Sequence, residues 1–334
     1  MDIRRYIIPR LIQFFIVIFI GITITFIVPR ITPIDPVEAV INRIMQYGVY
    51  MDASSIEQMR ATLVDLYGLS GSVIEQYGRY LLRLVSGDLG PSLSMFPTPV
   101  TEIIYNALPW TLGLLLTSMM ISWVIGNILG GVSGYFSEKK WSKAISMVAT
   151  TVYPIPYYIM GLIMIILFVY LIPLFPMIGG FSIGLTPSFS LGFIASLLKH
   201  AFLPALSLIT IGCGWWFLSM KALSSTTKSE DFVQYAEASG IPRHKILFGY
   251  VIKNSMLPQV TQLALQIGGV FNGALVTEYL FSYPGLGQVL YIAITNGDFN
   301  LIMGISIFSV VAIALAALVV DLIYPLIDPR VSYS

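Results

Sequence analysis

Charge is scarce in this sequence. Lys, Arg, Asp and Glu together make up 10% of its 334 residues, against about 25% in a soluble domain. A chain this poor in charge cannot coat itself for water, and with 56% hydrophobic residues it is expected to be integral to a membrane. A net charge of +1 excludes a nucleic-acid partner held by phosphate neutralisation. Cysteine occurs once, at Cys213 in an apolar run, which excludes an internal disulfide. The two histidines, His200 and His244, are expected on opposite sides of the membrane and cannot share a metal or activate one nucleophile. No G-x-x-x-x-G-K-[ST] is present, so the chain has no P-loop of its own. No apolar run carries the string of acids or bases that proton-coupled carriers use. Neither a metal nor a cofactor is expected.

What the sequence does have is long apolar runs. A membrane-spanning helix needs about 20 apolar residues, and six runs qualify, near 9–29, 108–134, 143–172, 200–220, 258–281 and 300–325. The expected fold is therefore all-α and polytopic, with six transmembrane helices. Arg4, Arg5 and Arg10 precede the first run like a signal peptide. That run ends in Val28-Pro29-Arg30 instead of a small-x-small cleavage site, so it is read as a retained helix.

Orientation follows from the basic residues. Arg4, Arg5, Arg10, Lys139, Lys140, Lys143, Lys221, Lys228, Arg243, Lys245, Lys253 and Arg330 fall on one side, and the alternate short loops hold almost none, with Lys199 the exception. Both termini and the loop from Lys228 to Pro258 are expected in the cytoplasm of a multi-pass cell-membrane protein. The organisation is 1–29 as cytoplasmic N-terminus and first span, and 30–107 as an external helical domain. A core of five further spans occupies 108–325 and includes the 228–258 loop, and 326–334 is a cytoplasmic tail.

Local signals refine this plan. Ser54 with Glu57 and Ser72 with Glu75 have capping-box spacing. Each is expected to start an amphipathic helix, one stopping at Gly68 and the other at Gly87. Gly126-xxx-Gly130 and Gly130-xxx-Gly134 are steps that let helices approach closely, either within one bundle or at a dimer seam. Pro154 and Pro156 are expected to kink the third span. The block from Pro173 to Lys199, rich in Pro, Gly and Ser, is read as an external loop on the membrane surface.

The loop Lys228–Pro258, KSEDFVQYAEASGIPRHKILFGYVIKNSMLP, is polar and helical in pattern between two apolar blocks. Ser229 is expected to start a helix, with Glu230 and Asp231 at its positive end. Gly240 ends it and Pro242 opens the next. An ordinary cytoplasmic helical hairpin would satisfy the same pattern. Further on, Glu278 is the one acid deep in its apolar stretch, ahead of Pro284-Gly285-Leu286-Gly287. It either caps a re-entrant turn at the outer interface or lines an outer gate.

The segment DFVQYAEASGIPRHKILFGYVIKNSMLPQ resembles the EAA loop of ABC-importer permeases, in the form used by the dipeptide/oligopeptide/nickel permease family. Ala236, Gly240 and Leu257-Pro258 match that motif, whereas Gln234 stands where it has its leading Glu and Tyr235 where it has its first Ala. Tyr67-Gly68-Leu69, Gly87-Asp88-Leu89-Gly90, the glutamate followed by Pro-Gly-Leu-Gly and the tail DLIYPLIDPRVSY are also similar to that family, so the likeness covers nearly the whole chain.

The resemblance implies a type I ABC importer permease fold. It also implies a translocation pathway shared with a second, homologous permease, an extracellular substrate-binding protein, and two ATP-binding subunits that hydrolyse the ATP, so that this chain is not itself an enzyme. It implies ATPase coupling through Gln234, Tyr235, Ala236, Glu237, Ala238, Ser239, Gly240, Ile241, Pro242 and Arg243, and pathway or gate roles for Pro154, Pro156, Glu278, Pro284, Gly285 and Gly287. The external domain would then be a lid over the pore mouth, a platform for the binding protein, or both. Di- and oligopeptides are the expected cargo, with oligosaccharides and nickel as alternatives within the same architecture. A stand-alone secondary transporter or channel is the reading from another class.

Overall fold

A computed structural model describes residues 3–31, 35–46, 52–272 and 274–327. Among these the chain is helical, and no strand is present beyond a single antiparallel bridge between Pro91 and Pro99. Helix α1 is Ile3–Ile31. Three shorter helices follow, α2 (Pro36–Gln46), α3 (Ala53–Leu66) and α4 (Val73–Val85). Next come α5 (Val100–Tyr135), α6 (Lys140–Val152) and α7 (Tyr157–Ile165), which continues as a π-helical turn to Leu171. Helix α8 (Leu191–Lys228) leads to α9 (Asp231–Ala238) and α10 (Arg243–Ile246), and a π-helical stretch joins α10 to α11 (Lys253–Gly269). The chain ends with α12 (Leu275–Leu280), α13 (Leu286–Asn296) and α14 (Phe299–Ile327).

Among the described residues four stretches are long and apolar enough to cross a bilayer: Ile7–Ile31, Val100–Tyr135, Leu191–Lys228 and Phe299–Leu322. The expected third span is two helices, Lys140–Val152 and Tyr157–Leu171, meeting at 98°. Pro154 and Pro156 lie in the break, where missing N–H groups end one helix and Pro156 caps the next. Counting that pair as one span gives five. The fifth expected span, 258–281, is not one apolar helix. Helix α11 carries Asn254, Gln259, Gln262 and Gln266, and the helix breaks between Gly269 and Leu275. The expected loop over 173–199 extends only to Ser190, whose hydroxyl accepts the Phe193 N–H at 3.3 Å and so starts α8 earlier than hydropathy suggests.

Helices α5 and α8 form the spine of the structure. A Cβ on Gly126 would lie 2.5 Å from the Trp216 Cβ, one on Gly130 2.5 Å from the Phe217 carbonyl oxygen, and one on Gly134 2.6 Å from the Lys221 carbonyl oxygen. The small-residue steps thus seat α5 on α8 of the same chain. Helices α1 and α14 pack antiparallel, with Arg10 and Asp321 paired at 3.1 Å at one end. At the other end α4 rests on α1. The Tyr77 hydroxyl and Thr23 Oγ1 are 2.8 Å apart, and Phe26 packs edge-on against the Tyr77 ring.

Asp298 fixes the chain between α4 and α5 to the start of α14. It is fully buried and accepts the Ser92 hydroxyl at 2.5 Å, the Ser94 N–H at 2.9 Å and the Leu301 N–H at 3.1 Å. The capping box at Ser72 and Glu75 is present, and Gly68 and Gly87 end α3 and α4. The box expected at Ser54 and Glu57 is not, because Asp52 is the cap of α3.

Candidate functional site

Two places carry the residues singled out above, and they lie at opposite ends of α5. The first surrounds Tyr135 at its C-terminal end. Ser229 caps the end of α8, so Glu230 is the residue preceding α9, one position later than expected. Helix α9 closes with the Gly240 N–H on the Glu237 carbonyl at 3.1 Å and the Ile241 N–H on the Ala236 carbonyl at 3.2 Å. This reciprocal closure needs a left-handed residue, and Gly240 supplies it at φ 74°. Pro242 then starts α10.

Helix α9 is amphipathic over barely two turns. Val233 and Ala236 are buried and pack with Tyr135, Ile246, Leu247 and Val251. Gln234, Glu237, Ala238, Ser239, Gly240, Pro242 and Arg243 are exposed and Ile241 is half-buried. Two large apolar side chains also point away from the protein, Phe232 at 42% and Tyr235 at 74% exposure. Gln234 turns back to donate its Nε2 to the Ser229 carbonyl at 3.0 Å. Across 102 residues of sequence, the buried Tyr135 hydroxyl donates to Glu237 Oε1 at 3.0 Å. No local pattern marked Tyr135, because its significance comes from a pairing between distant helices. Beside this bond, Lys139, Lys228 and Arg243 line a cavity of 390 Å³ that opens at the surface.

The second place is the turn between α12 and α13. Glu278 is fully buried. Its Oε1 accepts the Thr111 hydroxyl at 3.0 Å and its Oε2 accepts the Gly287 N–H at 2.7 Å. Thr111 Oγ1 in turn accepts the Leu286 N–H at 2.7 Å. The carboxylate and the threonine together satisfy the first donors of α13, which no intrahelical carbonyl can reach. Both glycines are sterically required. A Cβ on Gly285 would come within 2.5 Å of Thr111 Oγ1, and one on Gly287 would lie 2.6 Å from the Leu275 Cα. Pro284 packs on Gly180 close to Trp110.

Between α5, α8 and α11 is a cavity of 300 Å³ whose wall includes Ser118, Ser122, Tyr157, Trp216 and Gln266. Ser118 is 2% exposed, and its hydroxyl has no hydrogen-bond partner among the described residues. Pro154, Pro156, Glu278, Pro284, Gly285 and Gly287 do not line this cavity. The serines gave no sequence signal, since isolated serines in apolar helices are common. Asp328, Pro329 and Arg330 lie outside the described residues.

Residues 126–333 match the family described as "Binding-protein-dependent transport system inner membrane component". The chain is 29% identical over 318 residues to the oligopeptide transport system permease protein AppB of Bacillus subtilis, covering 95% of this chain and 96% of that one. It is 30% identical over 322 residues to the probable D,D-dipeptide transport system permease protein DdpB of Escherichia coli, covering 92% of each. With the glutathione transport system permease protein GsiC of E. coli it shares 27% identity over 330 residues, 98% of this chain and 99% of that one. A profile match over most of the chain, joined to relatives that align along nearly all of it, means that the chain belongs to the family of inner membrane components of binding-protein-dependent transport systems.

Proposed function

We propose that this chain is a permease subunit of an ATP-driven importer of di- and oligopeptides, and that α9 is the element through which partner ATPase subunits move it. The observation that carries this reading is the two-sided character of α9. Val233 and Ala236 fix one face in the protein, while Phe232 and Tyr235 stand exposed on the other with a left-handed glycine directly behind them. Exposed aromatics on a short, firmly seated helix fit a groove on another protein. Ligand-driven movement requires differential contact. The ATPase pair, closed by ATP, therefore grips Phe232 and Tyr235 differently from the open pair, and the Tyr135–Glu237 bond carries the displacement into α5.

Peptides are proposed as cargo because the relatives' names specify oligopeptide, D,D-dipeptide and glutathione transport. Helices α5, α8 and α11 form this chain's half of the pathway around the Ser118 cavity, and a second permease completes it. Helix α9 and both termini lie in the cytoplasm, and α2–α4 face the substrate-binding protein on the other side.

The test uses the full complex in proteoliposomes with its binding protein. Gly240→Trp and Tyr235→Asp are expected to abolish ATP-driven peptide uptake while leaving the binding protein's affinity for peptide unchanged. Wild-type uptake by both variants, or uptake by this chain without an ATPase, sinks the assignment. An impermeant thiol reagent that labelled a cysteine at position 243 from outside the cell would overturn the orientation.

A further inference from the structure

The end of the molecule remote from α9 contains a second polar cavity, of 180 Å³, that the coupling reading does not use. It is walled by one face of α4, the loop after α3, the last turn of α1 and the first turns of α14. Arg30, Arg79 and Arg83 line it together with Asp65 and Asp88, an excess of one positive charge. Asp88 is already engaged, 3.9 Å from Arg83 and accepting the Gly90 N–H at 2.8 Å, and Asp65 is exposed.

The other two guanidinium groups have only neutral partners. Arg30 donates to Gln76 Oε1 at 3.2 Å and to the Phe26 carbonyl at 2.8 Å, and its carbon lies 3.5 Å from the Phe26 ring centroid. Arg79 donates to the carbonyls of Gly68 and Ser70. Among the described residues neither has a carboxylate within 4.0 Å. Tyr80 belongs to the same wall, and its hydroxyl is buried without a hydrogen-bond partner among the described residues. Burial pushes the Tyr80 pKa up, so it remains a neutral donor at physiological pH. Cations and a donor hydroxyl without an acceptor call for an anion with several oxygens.

The depth of the cavity narrows the ligand. The apolar stretch of α1 ends here at Ile31, and that of α14 begins here at Phe299. Both helices therefore enter the hydrocarbon layer just below the cavity, which sits at headgroup level. We propose that this cavity is a phosphate-binding site, filled by a phospholipid headgroup or by the free ion, with Arg30, Arg79 and Tyr80 as its donors. A bound phosphate would tie α4 to α1 and α14 and so hold the α2–α4 segment against the membrane.

The experiment is native mass spectrometry of the intact transporter complex, offered phosphatidylglycerol, or diacylglycerol of the same chains without phosphate. The wild type is expected to retain phosphatidylglycerol, and not diacylglycerol, about tenfold better than the Arg30→Gln, Arg79→Gln double variant, the size of effect that charge-assisted hydrogen bonds produce. Tyr80→Phe keeps both charges and is expected to lose about threefold, as for one neutral hydrogen bond. It decides the matter if the double variant does not assemble. Displacement of the lipid by excess inorganic phosphate assigns the same donors to the free ion as well as the headgroup, whereas resistance to it assigns them to the lipid alone. Equal retention of phosphatidylglycerol by wild type, double variant and Tyr80→Phe, or equal retention of diacylglycerol and phosphatidylglycerol by the wild type, overturns the site.

Discussion

The two ends of α5 are built on opposite plans. At the Thr111 end, the α12–α13 turn is closed: Glu278 is fully buried, both its oxygens are satisfied, and two glycines leave no space for a methyl group. At the Tyr135 end, α9 is seated by the Val233 and Ala236 side chains and by the side-chain hydrogen bonds of Gln234 and Glu237, with most of its surface in water. One region is complete within the chain and the other offers a surface that none of the described residues covers. A subunit that receives force from outside needs this asymmetry, since a rigid turn transmits displacement and an unfinished surface accepts it.

The largest effect is expected at the closed end. Glu278→Ala leaves the Gly287 N–H and the Thr111 hydroxyl without their acceptor in a buried site, and such losses cost on the order of 3 kcal/mol together. Gly287→Ala drives a methyl group into the Leu275 backbone and costs about 1–3 kcal/mol through overpacking. The half-life of the solubilised complex at rising temperature measures both. If Glu278→Ala were as durable as wild type, the turn would not be the fixed element described here, and a gating role for Glu278 would gain ground.

The contrast sharpens with the same substitution at the open end. Gly240 has a positive φ of 74° but nothing within 4 Å of an added Cβ. Gly240→Ala therefore incurs only the left-handed backbone penalty, about 1–2 kcal/mol, and should shorten the half-life of the complex less than Gly287→Ala does. The thermal half-lives of the two alanine variants, measured side by side, separate backbone strain from steric clash. Equal losses would mean that α9 is packed more tightly than its exposure indicates.

Much of this was legible in the sequence where the cause is local. Gly240 and Pro242 bracket α9 because left-handed closure and a fixed φ are properties of those residues alone. Ser72 and Glu75 form their box for the same reason. Ser54 and Glu57 did not, because a carboxylate two residues earlier is the stronger acceptor. Asp52 takes the Ser55 N–H at 3.3 Å and the Ser54 hydroxyl at 2.5 Å, and these bonds hold its pKa below the usual carboxylate range. The span count was less legible because hydropathy integrates along a line, whereas Pro154 and Pro156 turn the chain through 98° and glutamines interrupt α11. Glu278 was visible as an oddity, but its partner Thr111 lies 167 residues away. Tyr135 with Glu237 was invisible for the same reason, since a contact made by tertiary packing leaves no periodicity behind.

The smallest expected change in stability, and the one that bears most directly on force transfer, is Tyr135→Phe. The ring stays in its buried site and only the donor to Glu237 is removed. Glu237 is exposed and can turn to water, so the cost is that of one ordinary hydrogen bond, about 0.5–1.5 kcal/mol. Assembly and nucleotide binding by the complex should be unaffected. If α9 moves α5 through this bond, peptide transported per ATP hydrolysed should fall in proteoliposomes while hydrolysis continues, because the ATPase still grips Phe232 and Tyr235 but the link inward is gone. An unchanged ratio would place the transmission in the apolar contacts of Val233 and Ala236 instead, and Val233→Ala would then be the variant that uncouples.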